Sequence, residues 1–319
     1  MQNELLKKII QKTMYRITTK ENTNPLLNEV IISNEKLNFK GIIYPNLGAS
    51  IQKISINDIE LIDGITPNEF GLTTYKNKYN SSILFPFPNR IENGTFEFEN
   101  NTYQLELNEL ALNNRLHGHV FNKYFTVKDI FTSENNAKII FRYKNTETEK
   151  GFPFPYTLDL TYTFTNNKIS LDFDVHNSGT KSFPFGIGWH PYFKAKNLIE
   201  SVLDFEADKQ YLVNKNMIPT GETSLKFKTP LQVKDTFLDD CFITKNSKSS
   251  FKTSDYKIII HFSSESPNSF LQVYTPETRD CIAIEPMTCA PNSFNNENGL
   301  LILKAGEKYK WKVDLNYSL

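Results

Sequence analysis

The chain has 319 residues, with Lys+Arg and Asp+Glu balanced at 36 each and a formal net charge of zero. That balance supplies no basic field for nucleic acid or an anionic membrane, and points to a neutral small-molecule partner such as a sugar. Three cysteines without CxxC spacing argue against a disulfide framework and a zinc ribbon, while 39% apolar residues suffice for a packed core.

Residues 1–20 carry Leu5, Leu6, Ile9, Ile10 and Met14 at helical spacing between lysines, which predicts a short amphipathic helix packed on the domain. Its apolar run is too short and interrupted for a secretory h-region or a membrane span, and with free thiols the cytoplasm is the expected compartment. From residue 28 to residue 319 the dominant period is two. Phe96 and Phe98 lead into a turn at Asn100-Asn101 and then Tyr103, Leu105 and Leu107. Leu158, Leu160, Tyr162 and Phe164 alternate with polar residues, turn at Asn166-Asn167, and continue as Ile169, Leu171, Phe173 and Val175. The same alternation closes the chain at Tyr309, Trp311, Val313, Leu315 and Tyr317. With 25 Phe and 15 Tyr favouring strands, the pattern predicts a single all-β domain, a large antiparallel β-sandwich.

Several side chains with chemical potential punctuate these strands. Asn89 and Arg90 follow Phe85-Pro86-Phe87-Pro88, a segment that cannot be regular helix. Arg90 could donate several hydrogen bonds to oxygen acceptors or close a structural ion pair. His117 and His119 would share one face of an extended chain, as in a metal site, but no acid follows before Asp129. We therefore assign no metal, and read this loop as offering one or two imidazoles to a polar ligand. His190 lies among Trp189, Tyr192 and Phe193, with Pro191 holding it extended and Gly186 and Gly188 allowing close backbone approach. Asp239 and Asp240 are neighbours, so only one of them can face a given pocket from an extended chain. In Cys281–Glu285 the alternation puts Ile282 and Ile284 on one face, and Cys281, Ala283 and Glu285 on the other. A strand-end Glu is ordinarily a surface residue. Two small neighbours and Pro286 suggest instead a pocket floor with room above it.

Taken in order, Asn89-Arg90-Ile91, Leu116-His117-Gly118, His190-Pro191-Tyr192-Phe193, Leu238-Asp239-Asp240-Cys241-Phe242 and Glu285-Pro286 resemble the aldose 1-epimerase (galactose mutarotase) family. The resemblance spans about residue 30 to the end. It implies the galactose mutarotase-like supersandwich and interconversion of the α and β anomers of free aldohexoses such as glucose or galactose, without a cofactor or metal. It implies that Glu285 is the general base on the anomeric hydroxyl and His190 the general acid on the ring oxygen. It implies hydroxyl-binding roles for Arg90, His117, Asp239 and Gln272, with Asn89 and Asp240 beside them. His119 stands where much of the family has a second glycine, which leaves its place in the pocket open. The expected partner is a monosaccharide, and the expected state a monomer or homodimer. A hexose-6-phosphate substrate would need cations, for which Arg115 and Lys123 are the nearby candidates. A sugar-binding protein without turnover, and a glycoside hydrolase or lyase using Glu285 and Asp239, are the competing readings. Glu285 and His190 are expected to face each other across a pyranose-sized gap.

Overall fold

The structure is a computed structural model and describes residues 14–146, 149–264 and 269–319. Five strands, Arg16–Lys20, Glu29–Asn34, Phe39–Tyr44, Ser50–Ile56 and Ile59–Glu60, form one antiparallel sheet in chain order. Among the described residues the largest sheet has 15 strands. One end runs Thr126–Thr132, Ala137–Asn145, Tyr156–Phe164, Lys168–Asn177 and Lys308–Ser318, and the other ends at Cys281–Met287, Gly188–His190 and Ser82–Leu84.

The alternation predicted for the central strands is what packs the sandwich. Leu158, Leu160, Tyr162 and Phe164 are buried, as are Ile169, Leu171, Phe173 and Val175 across the hairpin. They meet Ile32, Ile54 and Phe39 of the five-stranded sheet in one core cluster. The rings of Phe39 and Phe164 lie 5.7 Å apart, and the Tyr162 hydroxyl donates to Ala49 O at 2.8 Å across the layers. Each such side chain is worth about 1.5–3 kcal/mol when fully buried. A one-residue slip would turn the whole row to solvent, and this holds the register.

Three local expectations change. The predicted helix over 1–20 falls mostly outside the described residues, and its last part, Arg16–Lys20, is a strand paired with Glu29–Asn34. Ile17, Thr18 and Thr19 are β-branched and suit a pleated edge, so among the described residues strand pairing already includes Arg16–Lys20, ahead of residue 28. The first hairpin turns at Glu99 and Asn100, both at positive φ, one residue earlier than expected, while Asn166-Asn167 turns with neither residue left-handed. The alternation also hides an α-helix at Glu69–Lys78. Asn68 caps its start by accepting from the Gly71 N–H at 2.9 Å, and Tyr79 ends it in the left-handed conformation. This helix delivers Tyr79 to the site described next.

Candidate active site

Glu285 lies on Cys281–Met287, a strand buried along its whole length. On one side it pairs with Phe270–Tyr274, and on the other with Gly188–His190 and Tyr192–Lys194. Pro286 does not end the strand as anticipated; it occupies a ladder position opposite Leu271. The faces divide as the alternation requires, with Ile282 and Ile284 in the main core and Glu285 directly across from Gln272. The space expected above Cys281 and Ala283 is filled. Tyr192 pairs opposite Ala283 and packs with both small residues, with Tyr274 against the cluster. Small side chains here make room for two tyrosine rings.

His190 ends its short strand opposite Ser82 and turns its ring toward Glu285. Nε2 of His190 is 3.4 Å from Oε1 of Glu285, and both side chains are almost fully enclosed. This overturns the expectation of a pyranose-sized gap. Glu285 Oε2 and His190 Nδ1 are buried without a hydrogen-bond partner on the protein. The imidazole is boxed in by Tyr192, stacked at 5.1 Å, and by His117, edge-on at 5.0 Å. Tyr79 in turn packs on His117 at 4.7 Å.

His117 owes its position to a left-handed step. His117 and Gly118 both have positive φ, so the chain reverses and the two histidine rings diverge instead of sharing a face. The His117 N–H donates to Asn89 O at 2.8 Å, and the Asn89 N–H donates to His117 Nδ1 at 3.2 Å. With Nδ1 accepting, the proton of the neutral ring sits on Nε2, leaving it a donor. His119 is carried into the interior, where its Nε2 pairs with the Tyr156 hydroxyl at 2.9 Å beside Phe152. It lies outside the site. The diverging rings also remove the geometry that first suggested a metal pair.

A row of polar groups completes the wall. Asn89 Nδ2 donates to Gln272 Oε1 at 3.3 Å, and Gln272 Nε2 donates to Asp239 Oδ1 at 2.8 Å. Arg90 lies beside Asn89, its backbone N–H donating to Asn89 Oδ1 at 3.0 Å. Asp240 points away as the adjacency rule requires, accepting from Gln210 Nε2 at 2.7 Å and lying 3.6 Å from Lys226 Nζ. Of the residues singled out from the sequence, Glu285, His190, His117, Asn89, Arg90, Gln272 and Asp239 converge, and His119 and Asp240 do not. Sequence reading missed Glu109, which holds Arg90 through two hydrogen bonds, and Tyr79. Glu109 is 19 positions from Arg90, and no local pattern marks it.

Burial sets the protonation of this cluster. Glu285 is pushed well above the usual carboxylate range by burial and then by the Asp239 carboxylate, with Arg90 opposing. Burial lowers His190 to about 4. His117 is held well below the ordinary imidazole value by burial, then by His190 and Arg90. Asp239, exposed at the rim, is raised by the protein packed around it and by Asp240 and Glu109, against Arg90. Burial thus raises the Glu285 carboxyl and lowers the His190 imidazole, biasing each toward its neutral form.

A family model described as aldose 1-epimerase matches residues 34–316. The chain belongs to the aldose 1-epimerase family. Among curated relatives, the uncharacterized protein YihR of Escherichia coli (strain K12) is 27% identical over 274 residues, 83% of this chain and 86% of the relative. The bifunctional protein GAL10 of Kluyveromyces lactis is 26% identical over 316 residues, covering 85% of this chain but 45% of that longer protein. A galactose mutarotase-like protein from Clostridium acetobutylicum superposes with a TM-score of 0.83 at 18% identity, over 95% of this chain and 98% of its own. The galactose 1-epimerase of Lactobacillus acidophilus superposes with a TM-score of 0.75 at 17% identity, over 95% and 98%. These structures share the family's sandwich with this chain. Among the described residues no helix is long and apolar enough to cross a membrane.

Proposed function

We propose that the protein is an aldose 1-epimerase acting on free aldohexoses such as glucose and galactose. The 3.4 Å contact between Glu285 and His190 carries this reading. Anomerisation removes a proton from the anomeric hydroxyl, delivers one to the ring oxygen, and reverses both transfers after rotation about C1–C2. In the resting pair the proton sits on Glu285. Its transfer to His190 leaves a carboxylate that accepts from the anomeric hydroxyl and an imidazolium that donates to the ring oxygen, with no change in the charge of the pair. General acid–base help of this kind contributes about 10² to 10⁴-fold per group. His117 Nε2–H, Arg90, Asn89, Gln272 and Asp239 supply donors and acceptors for the sugar hydroxyls.

A phosphorylated hexose is less well served. Arg115 spends its guanidinium on backbone, with donors to Gly118 O at 2.6 and 3.2 Å and to Glu106 O at 3.0 Å. Lys123 is ion-paired with Glu149. Neither is a free cation awaiting a phosphate. Polarimetry on freshly dissolved α-glucose and α-galactose tests the function directly. Faster decay of rotation than in buffer supports it. Sugar binding without acceleration would favour a sugar sensor, and release of reducing ends from a disaccharide would favour a hydrolase.

The one-proton pair also predicts a pH profile for kcat/KM, which reports free-enzyme ionisations. As pH falls through about 4, His190 gains a second proton beside an already protonated Glu285, and the base is lost. As pH rises through the raised value of Glu285, the pair's last proton leaves and the acid is lost. The expected profile is a broad bell, with its acid limb near pH 4 and its alkaline limb well above the ordinary carboxylate range. An acid limb at the unperturbed histidine value of about 6.5 would show that His190 titrates as an ordinary imidazole.

A further inference from the structure

Arg90 and Glu109 form a forked ion pair, a geometry that Arg142 and Asp159 share on a strand face away from the site. Arg90 Nε donates to Glu109 Oε2 at 2.9 Å and Nη2 to Oε1 at 2.8 Å, two parallel bonds between planar groups. Both side chains are largely enclosed, at 13% and 18% exposure. Glu109 is itself braced. Its Oε2 also accepts from Asn114 Nδ2 at 3.0 Å, and the same amide donates to Asn216 O at 2.9 Å. Asn114 is fully buried, and its backbone N–H donates to Glu109 O at 3.2 Å. The carboxylate is thus held from the side away from the sugar wall.

A guanidinium has five N–H donors. Glu109 takes Nε–H and one on Nη2, while Nη1 reaches Asn89 Oδ1 only at 3.4 Å. The free edge of Arg90 therefore belongs to the row that continues through Asn89 and Gln272 to Asp239. Charge is settled by the same contact. Glu109 cancels Arg90, the nearby Arg115 and Lys123 are engaged elsewhere, and the remaining ionisable oxygens of the wall, Glu285 and Asp239, add no positive charge.

We infer that Glu109 is a positioning and specificity residue, which aims the free edge of Arg90 at an uncharged sugar hydroxyl and cancels the charge that would otherwise attract a phosphorylated or carboxylated sugar. The inference rests on the aldose 1-epimerase reading. Hydroxyl binding that is equal in ground and transition states appears in KM and not in kcat.

The test is Glu109→Gln and Glu109→Asp, assayed by polarimetry with glucose and galactose, and by competition with glucose 6-phosphate. Glu109→Gln keeps the shape but leaves Arg90 uncancelled. It is expected to raise KM for the neutral sugars roughly tenfold, the equivalent of one good charge-assisted hydrogen bond, with kcat unchanged. It is also expected to tighten competition by glucose 6-phosphate roughly tenfold. Glu109→Asp keeps the charge on a shorter arm, so KM should rise while competition by the phosphate stays as in wild type. This second variant decides the matter if Glu109→Gln does not fold. An unchanged KM in a folded variant overturns the inference, as does a loss of kcat in step with thermal stability. If the wild type accelerates no mutarotation, the enzymatic reading fails instead. Calorimetric titration of glucose and glucose 6-phosphate into wild type and Glu109→Gln then still reads the charge rule.

Discussion

Glu285→Gln is expected to lower kcat/KM for the mutarotation of α-glucose and α-galactose by about 10² to 10⁴-fold, the usual worth of a positioned general base. The amide matches the carboxyl in shape, so hydroxyl binding through Arg90, Asn89 and Gln272 should persist and be measurable by calorimetry. What disappears is the site that holds the pair's shared proton and can accept one from the anomeric oxygen. The fold should not suffer, because a buried carboxyl with one unpartnered oxygen contributes little to stability, and thermal unfolding of the variant should not fall. His190→Asn removes the other half of the same pair, so the double variant is expected to be no slower than the worse single one. Acceleration surviving in Glu285→Gln to within a few-fold would place the base elsewhere. Independent, multiplying losses in the double variant would show that the two groups do not act as a pair.

Gly118→Ala should be the most damaging small substitution near the site. Gly118 has φ +64, and a Cβ there would lie 2.2 Å from Phe85 O and 2.5 Å from Phe85 C. Backbone atoms cannot swing aside as a flexible side chain would. Left-handed strain and the forced displacement together should lower unfolding free energy by on the order of 3 kcal/mol, within the range of special-φ/ψ and overpacking effects. The displacement acts on the site as well. Phe85 O accepts from the His119 N–H at 3.0 Å, and His117 and Asn89 are bonded to each other just beyond. Shifting Phe85 pulls this loop off His190, so activity per folded molecule should also drop. Gly221→Ala is the control, since a Cβ there meets nothing within 4 Å, and it should stay within about 0.5 kcal/mol of wild type. Chemical denaturation with parallel polarimetry distinguishes the two. A Gly118→Ala protein as stable and active as the control would mean the loop is far softer than its contacts imply.

The residues that were legible in the sequence are those whose chemistry is written in a short stretch. Leu158 to Phe164 and Ile169 to Val175 announce a hairpin because side-chain direction alternates along any extended chain, whatever lies above it. The same rule required Asp239 and Asp240 to face apart, and the motif order singled out Asp239. Failures occurred where φ left the extended region. The left-handed steps at His117 and Gly118 break the parity that made His117 and His119 look like a pair. The space over Ala283 was misjudged because its cross-strand neighbour is Tyr192, remote from it in sequence and brought there by the pairing of two strands.

The sequence by itself therefore determined the all-β sandwich and the family. These depend on local sterics and on motif order. Only the tertiary structure decided that Glu285 and His190 touch at 3.4 Å, that burial biases each toward its neutral form, and that Glu109 holds Arg90 through two hydrogen bonds. Those properties arise from strand register, loop reversal and exclusion of water, which act between residues far apart in the chain and leave no local period to read.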